Sequence, residues 1–233
     1  SESLQYDELG RVNTQTRTVE SAPYATSFTY DRQGNQLTIT NPDNSQVQYV
    51  YNAAGFLNAV NRKESTTSWT PVVSNIDYAP TGKRTVLSYA NGTSTTNTFD
   101  ANELYRLRTK VTSTPSGNQQ HLTYTYDQNG NVTQIVDATN TLSAKTTAYL
   151  YDDLNRLLSS TVTGAANGEN GTQSYTYDAV GNLLTRSDVG SYAYAGHVGT
   201  SYANPHAATS AGATTYTYDQ NGNLVTSAVT TPQ

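Results

Sequence analysis

The sequence predicts an all-β chain, a row of antiparallel hairpins stacked into a curved ribbon. Three observations predict it. A seven-residue phrase, Tyr-Asp-x-x-Gly-Asn/Arg-Leu, recurs along the chain. Strict alternation of Tyr, Thr and Val leads into many of its copies. The composition favours strands and turns over helices, with 19 Tyr, 16 Gly and many Thr, Ser and Asn.

The repeat comes first. Good copies are Tyr6, Asp7 and Gly10 in YDELGRV, and Tyr30, Asp31 and Gly34 in YDRQGNQL. Further copies are Tyr126, Asp127 and Gly130 in YDQNGNV, Tyr177, Asp178 and Gly181 in YDAVGNL, and Tyr218, Asp219 and Gly222 in YDQNGNL. Tyr151 and Asp152 open YDDLNRL; Tyr51 and Gly55 frame a worn copy, YNAAGFL. Tyr78 (YAPTGKR) and Phe99 (FDANELYRL) are the weakest anchors. Successive anchors lie 24, 21, 27, 21, 27, 25, 26 and 41 residues apart. A gap of this size suits one hairpin, two short strands and two turns. The last gap is too long, and its excess over residues 190–212 fits a degenerate unit or a surface excursion. Residues 1–233 thus read as a single array of about nine to ten units. The chain opens mid-pattern and closes without a capping feature, which reads as a segment of a longer array.

The strands before the motif follow from period-two alternation. Gln46–Tyr51, Leu122–Tyr126, Gln173–Tyr177 and Thr214–Tyr218 each alternate in this way, the pattern of a half-buried strand. The Asp-x-x-Gly stretch is turn chemistry: Asp accepts backbone N–H groups and Gly supplies a positive φ. The next strand starts at once, as in Asn182-Leu183-Leu184-Thr185. Turns at Asn41-Pro42-Asp43-Asn44, Asn91-Gly92, Pro115-Ser116-Gly117-Asn118 and Asn167-Gly168 close the far ends. No window longer than one turn carries a helical period. Stacked hairpins bring equivalent tyrosines side by side, where they pack on one another or on the motif Leu/Val. A single unit is too small to fold alone, so neighbours stabilise one another.

Composition also excludes classes of function. Cysteine is absent, which removes disulfides and thiolate metal sites. A net charge of −5 argues against a nucleic-acid surface, and no apolar run approaches a membrane span. The string Asp127 to Asn131, echoed at Asp219 to Asn223, looks superficially like a Ca²⁺ loop. Its Gly is fourth rather than sixth and no Glu closes it, so a turn is the better reading. His121, His197 and His206 lack partners at ligand spacing. No Gly-x-Ser-x-Gly elbow and no Gly-rich phosphate loop is present, and Asp152-Asp153 sits on a turn. No cofactor is expected, and no catalytic residue. Arg11, Arg156 and Arg84 fall near the Asn position of the motif, where they cover apolar surface and pair with motif Asp. Trp69, the single Trp, reads as a core or sheet-face anchor. Sequons at Asn91, Asn131 and Asn170 matter only in a eukaryotic secretory setting.

These motifs, from about Tyr6 to Leu224, resemble the YD-repeat, or Rhs-repeat, family. That family includes bacterial Rhs polymorphic toxins, components of insecticidal Tc toxin complexes, bacterial wall-associated proteins and animal teneurins. The stretch Asn204-Pro205-His206-Ala207 ahead of the last motif resembles the approach to the end of bacterial arrays. The resemblance implies a β-ribbon that spirals into a hollow shell, which in the toxins encloses a C-terminal toxic segment. It implies a non-enzymatic wall, with the rest of the shell and the toxin as partners, in a secreted or cell-surface bacterial protein. The DPxGL-type core that carries self-cleavage in the family is absent from these residues, so that activity transfers to none of them. Exposed sheet edges would allow edge-to-edge self-association. The rival reading is an adhesin surface for glycans or a partner protein, with the Tyr rings as sugar platforms.

Overall fold

The computed structural model describes residues 1–140, 143–166, 168–194 and 205–229. The described residues form twenty β-strands and one short 3-10 helix, Ala101–Glu103. The chain divides into two compact units, Ser1–His121 and Leu122–Gln233.

The first unit holds β1 (Glu2–Tyr6), β2 (Val12–Val19), β3 (Ala22–Tyr30), β4 (Gln36–Thr40) and β5 (Gln46–Tyr51). It continues with β6 (Leu57–Lys63), β7 (Thr70–Tyr78), β8 (Arg84–Tyr89), β9 (Ser94–Asp100), β10 (Arg106–Thr114) and the start of β11 (Gly117–Tyr126). Strands β1 to β10 pair antiparallel, each with the next in sequence. The second unit holds the rest of β11, then β12 (Val132–Asp137), β13 (Lys145–Tyr151), β14 (Leu157–Thr163) and β15 (Gly171–Tyr177). It ends with β16 (Leu183–Arg186), β17 (Gly190–Ala193), β18 (Ser210–Ala211), β19 (Thr214–Tyr218) and β20 (Leu224–Val229). These too pair antiparallel in order of sequence.

The register shifts just before the motif Tyr in each motif hairpin. In the first, Gln5 pairs with Thr14 but Tyr6 with Val12, leaving Asn13 as an extra residue. The same bulge lies before Tyr30, Tyr51, Tyr78, Tyr126, Tyr151, Tyr177 and Tyr218. A bulge at a fixed place re-aims the strand and strengthens its twist identically in every unit. It also settles one ambiguity: Tyr30 pairs with Gln36, so Leu37 is the bulged residue and not the motif's seventh.

The unit-to-unit register is equally regular. The residue eight after one motif Tyr pairs with the residue three before the next: Thr14 with Ser27, Thr38 with Gln48, Ser159 with Ser174. Val86 with Thr96, Gln134 with Ala148 and Thr185 with Ser191 obey the same offset, the last counted to Tyr194. The ladder from β6 to β7 departs from it, beside an additional register shift in β7, and so does that from β18 to β19, where Thr215 pairs with Ser210.

Alternation sorts side chains onto two faces. Phe28, Tyr49 and Ile76 share a face with the motif tyrosines that follow two residues later; so do Tyr124, Tyr149, Tyr175, Tyr192 and Tyr216 in the second unit. The other face carries cross-strand Thr pairs, with hydroxyls 2.6 Å apart at Thr29–Thr38, Thr98–Thr109, Thr176–Thr185 and Thr217–Thr226. Such pairs each stabilise a sheet by about 0.2–1 kcal/mol. Among described residues only Ile76 (4% exposed) and Ala211 (7%) are buried apolar core. The stripe of half-buried aromatics therefore stands where a packed core would.

Two elements were not legible beforehand. The β2–β3 hairpin turns on Glu20 and Ser21, both at positive φ without a Gly. The 3-10 helix follows Phe99, and Leu104 and Tyr105 behind it are left-handed. Of the expected far-end turns, Asn41 N–H donates to the Ser45 carbonyl and Gly92 N–H to that of Tyr89, both closing as hairpin turns. Asn167, His197 and Asn204 lie outside the described residues.

The interface between repeats as candidate functional site

Each motif turn is built around its Asp. In the first repeat, Asp7 N–H donates to the Arg11 carbonyl (2.8 Å) and Gly10 N–H to the Asp7 carbonyl (3.0 Å). Gly10 stands at φ +77°, and Gly34, Gly55, Gly130, Gly181 and Gly222 take the same left-handed place. The carboxylate fills the turn from inside. Its Oδ1 accepts the Leu9 and Arg11 N–H groups at 3.0 and 2.9 Å, and its Oδ2 accepts Arg11 Nε at 2.7 Å.

The same set recurs. Asp31 accepts from Gln33 N–H, Asn35 N–H and Asn35 Nδ2 at 2.8, 2.8 and 2.9 Å. Asp152 is bound by Leu154 N–H, Arg156 N–H and Arg156 Nε; Asp178 by Val180 N–H, Asn182 N–H and Asn182 Nδ2. Asp219 is bound by Asn221 N–H, Asn223 N–H and Asn223 Nδ2, and Asp127 by Asn131 N–H and Nδ2. Both oxygens of these carboxylates face N–H donors, so the string that looked like a cation loop is a turn that satisfies itself. In the worn copy, Asn52 Oδ1 still accepts Ala54 and Phe56 N–H, both at 3.0 Å. At Ala79 the side-chain acceptor is gone, yet the backbone bonds to Lys83 and from Gly82 persist.

The donors set the acidity. The Asn35, Asn131 and Asn223 side-chain amides hold Asp31, Asp127 and Asp219 below the ordinary carboxylate value. For Asp7 and Asp152 the leading cause is the backbone N–H of Arg11 and Arg156. At Asp178 desolvation is the largest influence and pushes upward, but the Asn182 hydrogen bonds and their neighbours outweigh it.

The motif Tyr couples one repeat to the one before. Tyr30 Oη donates to the Val12 carbonyl at 2.8 Å, Tyr51 to Gln36 at 2.9 Å and Tyr78 to Leu57 at 2.7 Å. In the second unit Tyr151 donates to Val132 at 2.9 Å, Tyr177 to Leu157 at 3.0 Å and Tyr194 to Leu183 at 3.1 Å. Each of these six acceptors is the seventh motif residue, and the geometry explains why; Tyr218 instead donates to the Ala208 carbonyl at 2.8 Å. Val12 sits one step beyond the Asp7–Arg11 backbone bond, so its carbonyl points away from β1. The next strand begins pairing only two residues later, at Thr14. The phenol reaches into that gap and satisfies a carbonyl that the ladder misses. Phe99 has no hydroxyl, and there Asn97 Nδ2 donates to the Arg84 carbonyl at 3.1 Å in its stead. Burial, the leading cause, raises the pKa of Tyr51, Tyr151, Tyr177 and Tyr194 above the ordinary phenol value.

The sixth motif residue adds a second link. The Arg11 guanidinium lies 4.7 Å from the centre of the Tyr30 ring and donates to the Asp31 carbonyl at 2.8 Å. Arg156 repeats this over Tyr177 (4.9 Å) and to the Asp178 carbonyl (2.9 Å). Each Arg thus holds its own turn through the Asp and the next turn through backbone and ring. Phe56 does so by stacking on Tyr78 at 4.8 Å. Lys83, rather than Arg84, takes the position in its repeat, 5.2 Å over Phe99. Asn131 reaches Asn155 Oδ1 at 2.7 Å.

The other candidates stand elsewhere. His206 Nδ1 lies 2.7 Å from Asn182 Oδ1, and His121 is in β11. Trp69 precedes β7, 37% exposed, under the Lys63 ammonium at 5.0 Å, so it is a rim residue and not a core anchor. No cluster of His, Asp or Glu suited to a metal occurs among the described residues. No helix there is long and apolar enough to cross a membrane.

A family model described as the teneurin YD-shell matches residues 71–231, and one described as the RHS repeat matches residues 30–67. No curated protein matches the chain. Among solved structures, a TcdB2-TccC3-Cdc42 crystal structure aligns with 100% of this chain and 14% of its own, at 18% identity and a TM-score of 0.70. The Tc holotoxin pore of Photorhabdus luminescens aligns with 100% of this chain and 14% of its own, at 19% identity and a TM-score of 0.67. A TcdB2-TccC3-TEV structure aligns with 99% of this chain and 14% of its own, at 16% identity and a TM-score of 0.55. This chain therefore spans 14% of the length of the solved chains it resembles, and the likeness is one of fold. With the shell match running over more than half of its residues, the chain belongs to the teneurin YD-shell family of Rhs/YD-repeat proteins.

Proposed function

We propose that this chain is a load-carrying stretch of wall in a hollow YD shell that packages and protects a toxin segment. One observation carries the reading. Tyr30, Tyr51, Tyr78, Tyr151 and Tyr177 each spend the hydroxyl of the motif's most distinctive side chain on a carbonyl of the repeat before. A residue used this way specifies a wall, not a pocket. The motif carboxylates are engaged with their own turns and most motif hydroxyls with backbone carbonyls, so these groups are not poised to act on a substrate, and in this reading the chain acts without catalysis. The partners are further repeats of the shell and the enclosed segment, and the parent protein is secreted or displayed at the cell surface.

Residues 1–233 act in this reading as one array of about nine to ten units. In this reading the long last gap holds a degenerate unit anchored at Tyr194. Tyr194 there donates to Leu183 as a motif Tyr does, and β17 pairs with β18. The gene on either side of this segment tests the proposal. Further Tyr-Asp-x-x-Gly repeats and a divergent segment beyond a DPxGL-type core are the expected result. An array that runs into wall-anchoring sequence with neither would overturn toxin packaging.

A further inference from the structure

Around the anchor Phe99, well inside the first unit, three residues break the pattern of the face that carries the motif tyrosines. Two residues before the anchor stands Asn97, where other repeats have Phe28, Tyr49, Ile76 or Tyr124. Its partner across the β9–β10 ladder is Lys110, whereas the partners of Phe28, Ile76 and Tyr124 are Ile39, Leu87 and Ile135. On β8 the seventh motif residue is the exposed Arg84, where Val12, Leu57 and Leu157 stand half-buried elsewhere. Arg84 pairs with Tyr78 and so shares its face, and the Asn97 side chain donates to the Arg84 carbonyl at 3.1 Å. Arg84, Asn97 and Lys110 thus form a row across three consecutive strands, with the two cations about 10 Å apart at their backbones, two strand spacings. Among the described residues neither cation has an ion pair. Arg186, the cation that stands opposite Tyr175 as Lys110 does opposite Asn97, donates to Asp188 at 2.8 Å. The carboxylates nearest in sequence serve elsewhere. Asp77 pairs with Val86 on the opposite face, Asp100 accepts the Asn102 N–H at 2.9 Å, and Glu103 Oε2 is buried without a hydrogen-bond partner. Beside Arg84, the Phe56 ring, 43% exposed, stacks on Tyr78.

We propose that Arg84 and Lys110 form a binding site for an acidic segment of polypeptide, which sets a carboxylate between the two cations and an apolar side chain against the Phe56–Tyr78 stack. The inference goes beyond the wall reading and stands or falls apart from it. Each of the three substitutions forgoes an apolar contact that neighbouring repeats keep, and a fold breaks its own local rules in this way at sites that serve function. A guanidinium holds a carboxylate through two parallel N–H donors, and a neighbouring ammonium adds charge. The protein carries a net charge of −5, so two cations without a carboxylate partner on one face reverse the sign locally, and an Asp- or Glu-bearing segment is their complement. A polypeptide fits better than a free anion because the apolar stack lies next to the charge. In an extended segment, residues two apart share a face, so one carboxylate and one apolar side chain at that spacing can reach both features. The contact is partly exposed, which makes it weak and sensitive to salt.

The neighbouring repeats supply the test. Arg84→Leu and Lys110→Ile restore the residue types that other repeats carry at these places, so the double variant is expected to fold, with a urea midpoint at or above that of wild type. The probe is a labelled peptide of Glu-Ser-Phe triplets spaced by Ser-Gly, its binding to the whole chain read by fluorescence anisotropy at low and at high salt. Wild type is expected to bind it at low salt, and the double variant about ten-fold or more weakly. Arg108→Gln removes an exposed cation at the bulge of the same strand and should leave binding unchanged. Peptides with Gln for Glu, or with Ala for Phe, should each bind more weakly than the parent. Unchanged affinity in the double variant, no binding by wild type, or an equal loss from Arg108→Gln overturns the proposal. Equal binding of the Gln peptide overturns the carboxylate contact, and equal binding of the Ala peptide reduces the site to one for any anion, which also overturns it. A urea midpoint of the double variant below wild type would mean that the two cations serve the fold instead.

Discussion

At Tyr177 one side chain makes three kinds of contact. The ring lies under Arg156, the hydroxyl binds the Leu157 carbonyl, and the backbone pairs with Leu183. Tyr177→Phe removes only the hydroxyl bond and should cost about 0.5–1.5 kcal/mol. Tyr177→Ala also removes a half-buried ring and should cost about 3 kcal/mol. Urea denaturation of the two variants separates coupling from packing; equal losses would mean that the hydroxyl contributes nothing. Gly181 offers a second test. It stands at φ +96° with open space where a Cβ would go, so the penalty there is one of backbone conformation alone. The chain has already replaced this Gly once, with Asn155 at φ +61° in YDDLNRL. Gly181→Asn should therefore cost well under 1 kcal/mol and Gly181→Val about 1–2 kcal/mol more. Indistinguishable melting of the two would contradict the left-handed turn.

The hairpin with its Asp-filled turn is the unit of stability, and its weak point is acid. Asp31, Asp127 and Asp219 have a folded pKa below the unfolded value of 3.8, chiefly through the Asn side chain whose hydrogen bond each accepts. A depressed carboxylate stabilises the fold fully above its unfolded value, and that stabilisation is lost as pH falls through the folded one. Stability should thus hold near neutrality and drop steeply below about pH 4, with the turns failing together. Urea midpoints between pH 6 and pH 2 measure it, and a flat profile would mean that the carboxylates do not hold the turns. Hairpins, turns and their order were legible in the sequence because period-two alternation and Asp-x-x-Gly are local signals. The bulge before each Tyr was not legible, since Leu37 and Gln36 compete for one motif position and only the ladder decides between them. Nor was the Glu20-Ser21 turn, where tight β2–β3 pairing imposes positive φ on residues that do not prefer it. The partner of the Tyr hydroxyl lies in another repeat, and no spacing rule within a repeat points to it.

In each unit, a strand meets only the strands next to it in sequence, so disturbance should spread by steps and fade. Tyr177→Ala is expected to speed amide hydrogen exchange in β14 to β16 while leaving β2 to β5 close to wild type. A uniform rise through both units would indicate one all-or-none structure instead. The register from unit to unit has a wider consequence. At these ladders the motif anchors stand 21 to 26 residues apart, yet the offset that places one motif against the next is the same in each. The variation in length must then be taken up at the rim opposite the motif turns, where the turns have no common sequence. The molecule separates a ruler from a margin. Evolution, or an engineer, can lengthen a hairpin, graft an epitope or broaden the fabric at Asn91-Gly92 or Ser116-Gly117 without resetting the stitch that joins one row to the next.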